Sequence, residues 1–293
     1  MSREQEAVGE VAALWRYPVK SMAGQRLETV RVTDRGLRGD RGYALVDRAN
    51  QKVATAKNPR TWPRLFEFAA TLPDDAEVDA GDRLPGVPLP PVLITTPGGT
   101  EVSSADPEAE RTLQRALGRD VEIRSVEPGN EPVVESTSGR PWRATSEQYW
   151  PDVAGSAHRD TVTDFDLPEG TFFDCAVVRL LTTATLARMS ELHPEGTMDP
   201  RRFRPNVVVD AGERVGFLED DWVGRTVRLG DAVRLAVTES CPRCVMVTLP
   251  QGDLPRDPGV LRTAAQHNDV HVGVYATVVS GGRLRTGDPV ILE

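Results

Sequence analysis

Cysteine is scarce in this 293-residue chain, which has only Cys175, Cys241 and Cys244. An odd, sparse count excludes the disulfide framework of a small secreted domain. No stretch approaches the roughly 18 consecutive apolar residues of a membrane-spanning helix. The polar, acidic start Met1 to Glu6 has no apolar core of a secretory signal. A cytoplasmic protein without membrane contact is therefore expected. Basic residues are outnumbered, 35 Lys and Arg against 44 Asp and Glu, and the net charge of −9 argues against nucleic acid as a partner. Several motifs are missing as well. Asp34 to Gly42 is glycine-rich but has no Walker lysine and no helix pattern behind it, so neither a phosphate loop nor a dinucleotide fingerprint is expected. There is no Ser-His-Asp arrangement or G-x-S-x-G elbow. His158 and His193 are isolated. His267 and His271 have helix-face spacing, but no Glu follows His267, so a zinc site is not expected there.

What is present reads as an ordinary globular protein, 39% hydrophobic and 27% charged, long enough for one large or two modest domains. Short strands dominate: Val8 to Val19 is apolar-rich, Leu27 to Thr33 alternates apolar and polar, and Tyr43 to Val46 leads through a turn into Lys52 to Thr55. The spacing suits a barrel or sandwich, so the class is mainly β with a few helices (α+β). One helix is signalled by Asp106-Pro107-Glu108 and stopped by Gly118, and a second spans Thr183 to His193. Asn206 to Val209 reads as a strand buried on both faces, and a hairpin turns at Gly230-Asp231. From Pro128 to Gly170 no period is sustained, which reads as a long connection. The expected division is a first domain over 8–127, a connecting segment over 128–170 and a second domain over 171–293.

Cys241-Pro242-Arg243-Cys244 has the greatest chemical interest. It fits half a zinc site, a thioredoxin-like pair, two buried structural thiols, or one thiolate on a soft metal with Arg243 holding an anion beside it. Basic residues also recur in loops beside Gly, Pro or apolar neighbours: Lys20, Arg41, Lys57, Arg60 and Arg204. Residue chemistry alone reaches an anion site plus a reactive or metal-bound cysteine.

Taken in order, Leu14 to Ser21, Gly36 to Arg41, Thr55-Ala56-Lys57, Pro59-Arg60, Leu181 to Leu186, Phe203 to Val208, Glu219 to Trp222, Cys241 to Cys244, Gly273-Val-Tyr275 and Gly287 to Val290 resemble the MOSC family. That family is named for the C-terminal domain of molybdenum cofactor sulfurase. The resemblance covers nearly all of the chain outside the 128–170 segment. Within the family the chain is similar to the mitochondrial amidoxime reducing component and its bacterial counterparts. The resemblance implies an N-terminal MOSC β-barrel domain, a C-terminal MOSC β-barrel domain and a Mo-molybdopterin held between them. It implies Cys244 as catalytic residue and thiolate ligand of the metal. It also implies Lys20, Ser21, Arg41, Lys57, Cys175, Arg204, Asn206, Pro242, Arg243 and Tyr275 as cofactor contacts. Cys175-Ala176 stands where eukaryotic relatives have Thr-Ser, so two hydroxyl contacts are missing or supplied by other groups, and Cys175 is expected to pack as a small apolar group, the alternative being that it faces the metal. The implied activity is reduction of N-hydroxylated or N-oxide small molecules. With no further cysteine cluster, electrons are expected from a separate donor protein of flavin reductase, ferredoxin or cytochrome type. The alternative expectation is a cofactor or sulfur carrier without turnover of its own.

Overall fold

An eleven-residue strand near the start of the chain closes a barrel built by its end. In the computed structural model, which describes residues 5–73, 88–126, 143–151 and 160–293, this strand is β1 (Glu6–Arg16). Short strands follow: β2 (Gln25–Leu27), β3 (Thr29–Thr33), β4 (Gly36–Leu37), β5 (Tyr43–Asp47), β6 (Ala69–Thr71), β7 (Leu93–Thr95) and β8 (Glu101–Ser103). Helix α1 (Ala109–Leu117) and β9 (Val121–Ser125) complete the first half. A hairpin of β10 (Thr145–Trp150) and β11 (Thr161–Asp166) comes next. The second half carries β12 (Val178–Thr182), α2 (Thr183–Leu192), α3 (Pro200–Phe203), β13 (Val207–Asp210), β14 (Thr226–Leu229), β15 (Val233–Pro242), α4 (Pro258–His267), β16 (His271–Ser280), β17 (Gly282–Arg285) and β18 (Pro289–Leu292).

The barrel has the strand order β13-β12-β16-β15-β14-β18-β1, and β1 pairs back onto β13 to close it. Val11 lies opposite Val209, and Leu14 opposite Val207. Only the β12–β13 pair is parallel, because α2 and α3 supply the crossover that a parallel pair needs. Val8, Val11 and Leu14 point inward to meet Val207, Val209, Val227, Leu235, Val274 and Val290. Closure needs Gly9: its φ is +147°, and a Cβ there would lie 1.9 Å from the Asp210 carbonyl oxygen. The two halves also interlock where β17 pairs with β3, with Leu284 opposite Val30.

The first half packs a separate core of Val19, Met22, Leu45, Phe66, Phe68 and Leu113 under the β5–β9 pair and the β6–β7–β8 meander. A third apolar layer joins α2 and α4 through Met189, Val260 and Ala264 to Phe203 and Val247. Three local expectations change. The 128–170 connection contains the β10–β11 hairpin, whose Ser146 Oγ donates to the Val53 carbonyl at 3.0 Å. This polar hairpin is held by docking more than by an apolar period. His267 ends α4 while His271 begins β16, so the two do not share a helix face. His193 is not isolated: its Nε2 lies 3.0 Å from the carboxylate of Asp257.

Candidate cofactor site

The loop after β1 turns sharply because its backbone is held from several sides. Tyr17 N–H donates to Asp40 Oδ1 at 2.7 Å, Arg41 N–H to the Tyr17 carbonyl at 2.8 Å, and Lys20 N–H to the Tyr43 carbonyl at 2.9 Å. Ser21 (φ 65°), Arg41 (φ 48°) and Arg204 (φ 52°) all adopt the left-handed region. That conformation is uncommon for non-glycine residues and concentrates at functional sites. Three expected contact residues therefore stand in a backbone that their own sequence does not favour.

The side chains of Arg41 and Arg204 meet around the Tyr17 ring. The Arg41 guanidinium lies 4.6 Å from its centroid and that of Arg204 lies 4.1 Å from it. Arg204 Nη1 donates to the Met22 carbonyl at 2.7 Å. Lys20 Nζ donates to the Phe172 carbonyl at 2.8 Å and to the carboxylate of Asp174. The same carboxylate takes Lys57 Nζ at 3.2 Å and Arg179 at 3.9 Å. Lys57 also lies 4.6 Å from the Phe165 ring centroid, so the hairpin forms one wall. Among the described residues the largely buried cluster gathers five cations (Lys20, Arg41, half-buried Lys57, Arg179 and Arg204) around two carboxylates, buried Asp40 and half-buried Asp174.

The protonation shifts follow from that imbalance. Burial, reinforced by the charges of Arg41 and Arg179, pulls Arg204 down to about 9. Burial also lowers Lys20 to about 8, even against the raising influence of Asp174. Burial alone would raise Asp174, but Lys20, Lys57 and Arg179 outweigh it and hold the carboxyl well below its usual range. Tyr17 is pushed up to about 12 by burial, against the pull of Arg204 and Arg41.

Three polar atoms of this cluster, Tyr17 Oη, Arg179 Nε and Arg204 Nη2, are buried without a hydrogen-bond partner among the described residues, as is Trp15 Nε1. Leaving buried donors unsatisfied is costly. Surplus cations with orphaned donors suit an anion bearing several acceptor oxygens, such as a phosphate. The residues present therefore fit the phosphate-bearing cofactor that the resemblance implies.

Cys244 is half-buried two residues beyond β15, where the chain enters a short 3₁₀ turn over Val245–Thr248. Burial would lower the Lys57 ammonium, but Asp174, Cys244 and Cys175 together raise it, so both thiols lie within electrostatic reach of Lys57. Cys175 is exposed and does not pack as an apolar core group. Tyr275 is buried under the Arg179 guanidinium, 5.5 Å from its ring centroid, and burial raises its hydroxyl above the ordinary range. The structure thus brings together Lys20, Arg41, Lys57, Arg204, Tyr275, Cys175 and Cys244.

Other expected contacts are committed elsewhere. Ser21 Oγ accepts from Ala56 N–H at 3.0 Å, which fixes the segment carrying Lys57. Asn206 donates to Asp40 Oδ2 at 2.9 Å and accepts from Arg179 N–H at 3.1 Å, so it staples three elements of the cluster. Arg243 gives Nε to the Val272 carbonyl at 2.7 Å and Nη1 to the Phe203 carbonyl at 2.8 Å. Pro242 is exposed. Among the described residues no three His, Cys, Asp or Glu side chains are placed together to hold a metal ion.

Tyr17, Asp40, Asp174 and Arg179 were not among the expected site residues. Arg179 carried a signal, as a lone charge in the otherwise apolar strand Val178 to Leu181.

Residues 168–291 match the MOSC domain, and residues 8–87 match the MOSC N-terminal beta barrel domain. Mitochondrial amidoxime reducing component 2 of Rattus norvegicus is 27% identical over 312 residues, covering 98% of this chain and 84% of that protein. The Homo sapiens protein of that name is 25% identical over 313 residues, with the same coverage of 98% and 84%. The solved YUAD protein from Bacillus subtilis aligns with a TM-score of 0.47 at 11% identity, covering 99% of this chain and 97% of that one. Lys20, Arg41 and Lys57 fall in the first matched segment, and Asp174, Arg179, Arg204 and Cys244 fall in the second. The chain belongs to the MOSC family, with a MOSC N-terminal beta barrel domain ahead of its MOSC domain.

Proposed function

We propose that this chain is a molybdenum-cofactor oxidoreductase that removes oxygen from N-hydroxylated or N-oxide small molecules, with Cys244 as the protein's ligand to the metal. The observation that carries the reading is the buried cation cluster with unpartnered donors, lying within reach of a half-buried thiol. Arg41, Arg204 and Arg179 would hold the anionic part of a pterin phosphate. Lys20 and Lys57 complete the cradle, while Asp174 keeps those lysines in place. When bound, the cofactor supplies the two-electron redox chemistry; the protein supplies orientation and electrostatics. Phe172 and Phe173, both buried, exclude water beside Lys20 and Arg41. Relatives named for amidoxime reduction support the substrate class. Electrons would come from a separate protein of flavin reductase, ferredoxin or cytochrome type. Among the described residues no helix is long and apolar enough to cross a membrane.

The alternative of a sulfur carrier is weakened by Cys241, which is 1% exposed and offers no access for sulfur transfer. The test is to express the full chain and its Cys244→Ser variant in cells that make molybdopterin, then measure bound molybdenum and oxidised-pterin fluorescence. The wild type should hold near-stoichiometric metal and pterin, and the variant should keep the pterin but lose most of the metal and all reductase activity toward an amidoxime. Absence of both metal and pterin from the wild type defeats the reading.

A further inference from the structure

Arg202 is an expensive residue in an unexpected place. It is 1% exposed, two residues ahead of the cluster residue Arg204, and makes no ion pair within 4.0 Å among the described residues. Its guanidinium instead donates to main-chain carbonyls: Nε to Thr197 at 2.9 Å, Nη1 to Val247 and Leu249 at 3.4 Å each, and Nη2 to Pro255 at 2.8 Å. Burial lowers its affinity for a proton. A buried charge is normally matched by a carboxylate, and retaining one for neutral acceptors costs stability. What the charge secures in return is geometry: three of its four acceptors lie in the loop that follows Cys244.

That loop joins three parts of the molecule. Val247 N–H donates back to the Cys244 carbonyl at 3.3 Å, which closes the turn on the cysteine. Met246 and Leu249 pack against the core of the first half, whereas Val247 packs into the layer of α2 and α4. Asp257 N–H returns to the Thr248 carbonyl at 2.9 Å, so the loop is closed at its far end too. On the other side of Cys244, Arg243 is tied to Phe203, the neighbour of Arg202 in α3. One short helix therefore grips the chain on both sides of the thiol.

We infer that Arg202 is the positioning residue for Cys244: its contacts to the Val247, Leu249 and Pro255 carbonyls fix the turn that carries the thiol beside the cation cluster. The inference deepens the cofactor reading above, yet its first measurement needs no cofactor. The full-length chain is prepared without molybdopterin in a Cys175→Ser background, which leaves Cys244 as the accessible thiol because Cys241 is buried. The rate of Cys244 labelling by the disulfide reagent DTNB reports how often the turn opens.

Arg202→Met removes the donors and keeps most of the side-chain stem. It should raise the labelling rate at least tenfold. Arg202→Lys restores the charge and some of the donors, and should fall between parent and Arg202→Met. Arg201→Ala is the control: Arg201 leaves the same helix but faces outward to Asp199 and Asp253, and its loss should leave the rate within twofold. Urea midpoints measured alongside separate local opening from general weakening. A parental labelling rate in Arg202→Met, despite a lowered midpoint, would overturn the inference and leave Arg202 a plain stabiliser. If Arg202→Met does not fold, Arg202→Lys decides alone, and a parental rate there overturns the inference equally. In cells that make molybdopterin, the same variants should hold less molybdenum in the order parent, Arg202→Lys, Arg202→Met. If the parent holds none, the cofactor reading fails while the labelling result still stands.

Discussion

Lys20, Lys57 at 3.2 Å and Arg179 at 3.9 Å all turn toward one carboxylate, so removing its charge exposes three buried cations to one another. Breaking a buried pair by deleting one partner costs about 3–5 kcal/mol, mostly from the charge left behind. Asp174→Asn should therefore lower the unfolding free energy by about that much at neutral pH. The pH dependence has a definite sign. Because the folded-state pKa of Asp174 lies below its ordinary value, its contribution is full above the ordinary carboxylate pKa near 4 and is lost as pH falls through the folded value. Urea unfolding of both proteins should show a gap that is constant at neutral pH and narrows below about pH 4. A gap that widens in acid would mean that Asp174 is not held as the charged partner of these cations.

At the scale of elements, α2 shows how two separate sequence motifs serve one another. Thr182 caps the helix by accepting from Thr185 N–H at 3.0 Å. Glu219, wholly buried in a 3₁₀ turn, accepts from the Thr182 hydroxyl at 2.6 Å and the Thr185 hydroxyl at 2.7 Å. Burial raises its pKa, against the lowering effect of those bonds. A raised carboxylate contributes most below its ordinary pKa, and that contribution fades as pH rises through the folded value. Glu219→Ala should cost about 2–4 kcal/mol through unsatisfied hydroxyls. Glu219→Gln, which carries no charge at any pH, should gain on the wild type as pH is raised from 4 toward neutrality. A Gln variant that loses ground over that range would show that the carboxylate is stabilised as an anion.

The same scale shows what could be read from residues alone. The Thr183 helix and the Gly230-Asp231 hairpin were legible because their caps and turns are local chemistry. Helix α4 was not, since Asp257-Pro258-Gly259 looks like a turn, although it proves to be a capped start with Asp257 accepting from Gly259 N–H at 2.8 Å. The β10–β11 hairpin was hidden for a different reason: its polar residues gain order from Lys52, Asn58 and Val53 in another segment. Loop residues such as Lys20, Arg41 and Arg204 stood out by their Gly and Pro surroundings. Asp174 could not, because the lysines that give it meaning lie far away in sequence.

For the whole molecule, the decisive fact is that β1, besides pairing with β2 at its far end, is built into the barrel formed by β12 to β18 from the end of the chain. Sequence order alone groups residues 8–127 together, but register joins Val11 to Val209 and Glu6 to Leu292. A fragment of residues 168–293 therefore carries six of the seven barrel strands and leaves the edges of β13 and β18 unpaired. Open apolar edges seek partners, either a missing strand or another copy. The fragment alone should be insoluble or oligomeric on size-exclusion chromatography. Supplying the first half as a second polypeptide of residues 1–126 should recover a soluble one-to-one complex, because it restores β1 and also the β3 partner of β17. Replacing Gly9 with valine in that polypeptide should abolish the recovery, since a side chain there meets the Asp210 carbonyl. A fragment that is monomeric and cooperatively folded by itself would show that closure by β1 is dispensable. The cation cluster gives the same dependence a functional side: Lys20, Arg41 and Lys57 come from the first polypeptide and Arg179, Arg204 and Cys244 from the second. Anion binding, followed by titration with inorganic phosphate, should accordingly appear only in the reassembled complex.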